Sequence, residues 1–250
     1  MHTVVVVLAR LRPSAVGWAV SRLVLSAFGA PRWPGLVFQK VLGSGEQGGF
    51  GLKPGLNFQG LFSAFDNLQS ANDFVEHAPQ VKAYQDRAEE CFVAVLNPVS
   101  ARGQWSGFEL QAEPTHEETP HAATIDEPVV ASLTRASIRT FKARQFWAQS
   151  PDAERDLEQA NGCLLAVGLG EAPLLRQATF SLWKNQAAMD AYARSGAHQR
   201  AIQAAYGQRF FSESMFVRFR PLRLEGQWQG QRFSEASAQA HNGFQQIVRG

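Results

Sequence analysis

The feature that most constrains this chain is that it repeats itself. Gly43-Ser44-Gly45-Glu46 returns as Gly168-Leu169-Gly170-Glu171, 125 residues later. Phe62-Ser63-Ala64-Phe65-Asp66-Asn67 returns as Phe180-Ser181-Leu182-Trp183-Lys184-Asn185, and Gly103-Gln104-Trp105-Ser106-Gly107 as Gly226-Gln227-Trp228-Gln229-Gly230. The order is the same, and the first and last matches are 60 residues apart in one copy and 58 in the other. Self-similarity at this spacing makes the supersecondary unit, not the whole chain, the thing to be folded. Residues 1–108 form the first copy and 129–230 the second. Between them residues 109–128 carry Pro114, Pro120 and Pro128 among several glutamates, the composition of a linker. Residues 231–250 form a polar C-terminal tail.

Hydrophobic spacing gives each copy the same order of elements. In the first, residues 3–10 and 37–42 read as strands, 14–27 as a helix and 56–65 as a strand. Leu68, Ala71, Phe74, Val75 and Ala78 fall at helical spacing, and 91–96 closes as a strand. In the second, 129–138, 163–169, 178–183 and 215–219 read as strands, 141–148 and 189–205 as helices. The order βαββαβ is that of the ferredoxin-like unit. The expectation is an α+β protein of two tandem ferredoxin-like repeats whose sheets pack or close a barrel, with helices outside.

Composition excludes several function classes. There are 24 basic and 22 acidic residues, with no basic run, so the electrostatic footprint of a nucleic-acid binder is missing. Charged residues make up only 18% of the chain, against eighteen Phe and six Trp, which suits an apolar cavity or a buried interface. Cys91 and Cys163 lack CxxC spacing and read as small buried hydrophobes. The apolar run at residues 14–30 is interrupted by Arg22 and is too short for a membrane span, so the expectation is a cytoplasmic protein with at most peripheral contact with a membrane.

Phosphate-loop, Rossmann, HExxH and GxSxG patterns are lacking. The glycine-rich run from Gly43 to Gly51 lacks the Lys-Ser/Thr ending and precedes a strand, which leaves a flexible hairpin or a lid over a ligand. His2, His116, His121 and His241 read as solvated, and His77 closes a helix. His198 stands opposite Gln80 when Ser63 is aligned with Ser181, so only the second copy carries an imidazole there. Gly196 and Ala197 beside it leave room for a flat ligand, and neutral imidazole is the commonest metal ligand. Arg135 and Arg139, four apart on a predicted strand, share a face. Two guanidinium groups there suit carboxylate groups of a ligand or a bound oxygen species, unless they are ion-paired or solvated. Trp105 and Trp228 read as packing residues, and Glu171 as structural.

Six stretches together resemble the spheroidene monooxygenase family. They are Lys40-Val41-Leu42-Gly43-Ser44-Gly45, Ala101-Arg102-Gly103-Gln104-Trp105-Ser106-Gly107, Leu133-Thr134-Arg135-Ala136-Ser137-Ile138-Arg139, Gly168-Leu169-Gly170-Glu171-Ala172-Pro173, Thr179-Phe180-Ser181-Leu182-Trp183 and Ser195-Gly196-Ala197-His198-Gln199-Arg200-Ala201-Ile202. The resemblance runs from about residue 3 to 230. It implies a dimeric α/β-barrel fold and a haem b monooxygenase that oxidises an acyclic carotenoid with O2. Electrons would come from an external donor such as a ferredoxin. By analogy with other haem enzymes on this fold, it implies His198 as the iron ligand. Arg135 and Arg139 are then the expected catalytic residues, binding the cofactor and stabilising negative charge that develops on the bound oxygen. Three other readings share the fold: a haem peroxidase or dehydratase, a cofactor-free monooxygenase, and a non-catalytic haem- or pigment-binding module. The sequence leaves a homo-oligomer open.

Overall fold

The computed structural model describes residues 1–26, 29–49, 54–113, 128–147, 156, 157, 159–172, 175–194 and 210–234. The first half runs β1 (Thr3–Leu11), α1 (Val16–Ser26), β2 (Leu36–Gly45), β3 (Pro54–Phe65), α2 (Leu68–His77), α3 (Pro79–Arg87) and β4 (Ala88–Gly103). The second runs β5 (Val130–Ile138), α4 (Ala143–Trp147), β6 (Cys163–Ala172), β7 (Arg176–Trp183), α5 (Gln186–Ala193) and β8 (Phe211–Trp228), followed by the short β9 (Gln231–Phe233).

The strands hydrogen-bond in the order β4-β1-β3-β2-β6-β7-β5-β8, all pairs antiparallel, and a β4–β8 pairing closes the ring into an eight-stranded barrel. One seam is long, from Phe92↔Gly226 to Gly103↔Met215. The other consists of Gly43↔Gly170 and Ser44↔Leu169, where two of the repeated glycine motifs pair with each other.

The valine run of β1 is continuous instead of alternating because both faces of the strand are covered. Val4, Val6 and Leu8 point into the barrel, and Val5, Val7 and Ala9 lie beneath the helices. Branched side chains suit such a strand. The barrel interior is filled: Phe58, Phe62, Phe92, Phe180 and Phe219 pack there with Met215, Leu133 and Val167. The phenylalanines expected around a cavity are, at these positions, core.

Four elements differ from the sequence reading. The second helical segment of the first half is two helices, because Ala78 is extended (φ −70°, ψ 125°) ahead of Pro79, which starts α3. Strands β4 and β8 run far past residues 96 and 219, through Pro98 and Pro221. Both prolines sit where the ladder slips register, between Val95 and Leu96 and between Pro98 and Ser100, which is where a strand tolerates a residue without an N–H. Of the helix read over 189–205, α5 covers Gln186–Ala193; residues 195–209 lie outside the described residues.

The repeated motifs do the same structural work in both halves. Asn67 and Asn185 cap α2 and α5, each side chain accepting from the amide three residues on, Ser70 at 2.8 Å and Ala188 at 2.9 Å. Trp105-Ser106-Gly107 and Trp228-Gln229-Gly230 both turn through left-handed backbone, with φ of 52° and 77° in one and 50° and 81° in the other. The glycine before each turn lies hard against the opposite long strand. A Cβ on Gly103 would lie 2.1 Å from the Ser214 carbonyl oxygen, and one on Gly226 2.0 Å from that of Cys91.

Candidate functional site

Each Trp-containing turn holds a carboxylate from the other half. The Gln229 and Gly230 amides donate to Glu90 on β4 at 3.0 and 2.8 Å, and the Ser106 amide donates to Glu213 on β8 at 3.0 Å. At the Glu213 end of the barrel the symmetry breaks. Val5 pairs with Ser63 and Ser132 with Ser181, so Leu8 and Arg135 occupy corresponding interior places on β1 and β5. The second half therefore aims a cation where the first aims an aliphatic chain.

Arg135 is 2% exposed and ion-paired with Glu213 and, at 3.1 Å, with Glu171. Glu171 on β6 also accepts from the Trp105 indole at 2.6 Å and pairs with Lys40 of β2 at 3.2 Å. Arg135 lies over the Trp105 ring, 5.5 Å from its centroid, and Lys40 over Phe38. Burial pushes the Glu171 carboxyl up. The Trp105 N–H, Lys40 and Arg135 outweigh it and hold the group below the usual carboxylate range. Burial likewise raises Glu213, and the Ser106 amide and Arg135 bring it below its ordinary value. Two carboxylates held ionised offer no proton near neutral pH, and Arg135 is committed to both. The cluster closes one end of the barrel.

Arg139 does not join it. β5 ends at Ile138 with a register shift after Ser137, so the same-face spacing expected for positions 135 and 139 is lost. Arg139 is exposed, and its Nε donates to the Phe211 carbonyl at 3.2 Å. His198, with residues 195–209, lies outside the described residues, as do His116, His121 and His241. His77 is exposed beside Glu76. His2, read as solvated, is half-buried: its ring stacks on Phe108 and its Nδ1 accepts from the Gln111 amide at 3.0 Å. Burial, then the N-terminal ammonium, lowers its pKa. Among the described residues no group of three His, Cys, Asp or Glu side chains is placed to hold a metal.

The outward faces of the two half-sheets differ in a way sequence reasoning missed. In the first half Val5, Val7, Val41 and Leu61 are buried beneath α1–α3. The register and the repeated motifs put Ser132, Thr134, Ala166 and Thr179 in the corresponding places of the second, and all four are half-buried. Where one half has four aliphatic side chains, the other has four small ones on one contiguous surface. That surface lies on the outside of the half from which α5 runs toward residue 198. Its side chains are shorter than their counterparts in the first half, and the imidazoles that flank it in sequence are His121, before Ser132, and His198, after Thr179, both outside the described residues. A comparison of the two copies, position by position, would have revealed the change.

No family model matches the chain. The spheroidene monooxygenase of Rubrivivax gelatinosus is 48% identical over 229 residues, 92% of this chain and 86% of that protein. That of Rhodobacter capsulatus is 37% identical over 219 residues, 87% and 88% of the two chains. Among solved structures, an aldoxime dehydratase in complex with butyraldoxime aligns with a TM-score of 0.53 at 9% identity, covering 88% of this chain and 79% of that one. A second aldoxime dehydratase aligns at 0.51. These two share the fold. With nearly half of its residues identical to the first relative over almost the full length, the chain belongs to the spheroidene monooxygenase family, a family of oxidoreductases.

Proposed function

We propose that this protein is a haem b monooxygenase that introduces oxygen into an acyclic carotenoid, its two halves being tandem ferredoxin-like copies of one ancestral unit. The 48% identity to a spheroidene monooxygenase over 92% of the chain carries the reading. The small-residue outer face of the second half supports the cofactor. His198 would hold the iron, and the face formed by Ser132, Thr134, Ala166 and Thr179 would take one side of the ring. Arg139, exposed at the end of β5, is available to a haem propionate, and Arg135 keeps the barrel end rigid. When bound, the haem supplies activation of O2.

Each turnover takes a C–H bond, O2, two electrons and two protons to a C–OH and one water. A second oxidation at the same carbon gives a keto group after loss of water. The chain has no flavin or nicotinamide motif, so the electrons come from an external donor such as a ferredoxin.

The test is a titration of the apoprotein with hemin, followed by absorption, for wild type, His198→Ala and Thr134→Phe. A saturable one-to-one Soret band that changes ligation in His198→Ala and fails to develop in Thr134→Phe supports the site. Nonspecific uptake, identical in all three, overturns it. Oxygen-dependent conversion of an acyclic carotenoid with a ferredoxin and its reductase then tests the substrate.

A further inference from the structure

Helix α1 presents an outer face that the protein does not use. Its inner side is engaged: Ala19 is fully buried, its carbonyl accepts from Gln59 at 2.6 Å, and Trp18 packs edge-on against Tyr84 with ring centroids 5.0 Å apart. On the opposite side Val20, Val24 and Leu25 are 41%, 58% and 55% exposed, with exposed Gly17 and Ser21 between them. Val20 and Val24 are one helical turn apart and stack on one face. Isolated exposed aliphatics are ordinary, but three on one face of an eleven-residue helix make a patch.

The charge on the segment that carries the patch is one-sided. The first 45 residues contain Arg10, Arg12, Arg22, Arg32 and Lys40 and no Asp or Glu. Arg12 and Arg32, both exposed, flank the helix before and after. In space Arg12 donates to the Asp86 carbonyl at 2.9 Å and Arg10 pairs with Glu89 at 3.1 Å, so acidic groups stand on the α3–β4 side, but the helix itself carries none. An apolar helix face flanked in sequence by Arg12 and Arg32 is complementary to an anionic bilayer, which offers hydrocarbon below a negative surface.

We propose that α1 docks the protein on an anionic membrane surface, with Val20, Val24 and Leu25 entering the interface and Arg12 and Arg32 meeting lipid headgroups. The purpose rests on the carotenoid reading, since such a substrate dissolves in the bilayer and must be taken from it. The contact itself does not depend on that reading. Among the described residues no helix is long and apolar enough to cross a membrane, and the proposed mode is peripheral.

Flotation with vesicles of phosphatidylcholine alone, or containing phosphatidylglycerol, tests it in the absence of carotenoid, hemin and donor. Wild type is expected to float with the anionic vesicles, at least about tenfold less with neutral ones, and less as salt is raised. V20E/V24E is expected to lower anionic-vesicle binding by about tenfold or more while keeping the wild-type circular dichroism and thermal midpoint. R12Q/R32Q is expected to weaken it and to flatten its salt dependence. Equal flotation of wild type and V20E/V24E would overturn the proposal. So would self-association of wild type that V20E/V24E abolishes without vesicles, which assigns the face to a second copy. Binding to vesicles without turnover of any carotenoid would leave the docking face standing and remove the substrate.

Discussion

Replacing Glu171 by Ala removes the shared partner of four groups at once, of which Arg176, at 3.9 Å, is the most exposed. Arg135, 2% exposed, keeps Glu213; Lys40 loses its ion pair; the buried Trp105 indole N–H loses its acceptor. Breaking a buried pair by deleting one member costs about 3–5 kcal/mol. The lower end applies here, because Glu171 and Lys40 are 10% and 26% exposed and water screens part of the interaction. A loss of about 3 kcal/mol lowers the thermal midpoint of a chain of this size by about 6–12 °C. The assay is urea unfolding by circular dichroism, with m unchanged so that the midpoint reports stability. Glu171→Gln, which retains an acceptor for Trp105, should fall between Ala and wild type. R135M/E171M, which removes both charges, should regain only part of the loss: an apolar replacement of a buried pair is often neutral, but Lys40 and Trp105 still lack Glu171 and Glu213 loses Arg135. A loss below about 1 kcal/mol for Glu171→Ala, or losses that simply add in R135M/E171M, would refute the claim that the cluster is a coupled, desolvated unit.

The acid limb of stability should carry the same signature. Both Glu171 and Glu213 are held below the ordinary value of 4.5, so their contribution is complete above about pH 4.5 and is lost as pH falls through their lower native values. Urea midpoints measured down to pH 3 should show that loss, and it should be smaller in Glu171→Gln. Gly103→Ala and Gly226→Ala each force a Cβ into an opposing carbonyl at positive φ, and each should cost more than about 1 kcal/mol by the same urea assay, beyond the strain of left-handed backbone alone. Asn67→Ala and Asn185→Ala should each cost about 1 kcal/mol through loss of a helix cap, and being far apart should add.

The matching motifs stood out in the sequence because several of their residues are ones that backbone geometry demands. Glycines at 103, 107, 226 and 230 take positive φ, and Asn67 and Asn185 cap helices, so each is fixed by local geometry whatever packs around it. The reach of β4 and β8 was hidden by Pro98 and Pro221, which end a strand by local rules and here sit at irregularities of the longest pairing in the barrel. The charged cluster was illegible for a different reason. Lys40, Trp105, Arg135, Glu171 and Glu213 lie on or beside five different strands, and only barrel closure brings them together. The pairing of Arg135 with Arg139 failed because strand periodicity was extended one residue beyond the strand. The small outer face lies in the sequence as a difference between the two halves, which a likeness of motifs does not display.

The two seams have a consequence for how the chain avoids aggregation. Closing a barrel removes sheet edges, and an edge reappears wherever closure is weakest. Here that is the brief clasp between β2 and β6, against the long union of β4 and β8. When the clasp parts, the strand ends laid bare are Gly43-Ser44-Gly45 and Gly168-Leu169-Gly170, among the poorest sequences for recruiting another strand. The valine run of β1, rich in β-branched residues, is paired on both edges, between β3 and β4, and does not border that opening. The fold thus puts its unavoidable weak point where the sequence is least adhesive.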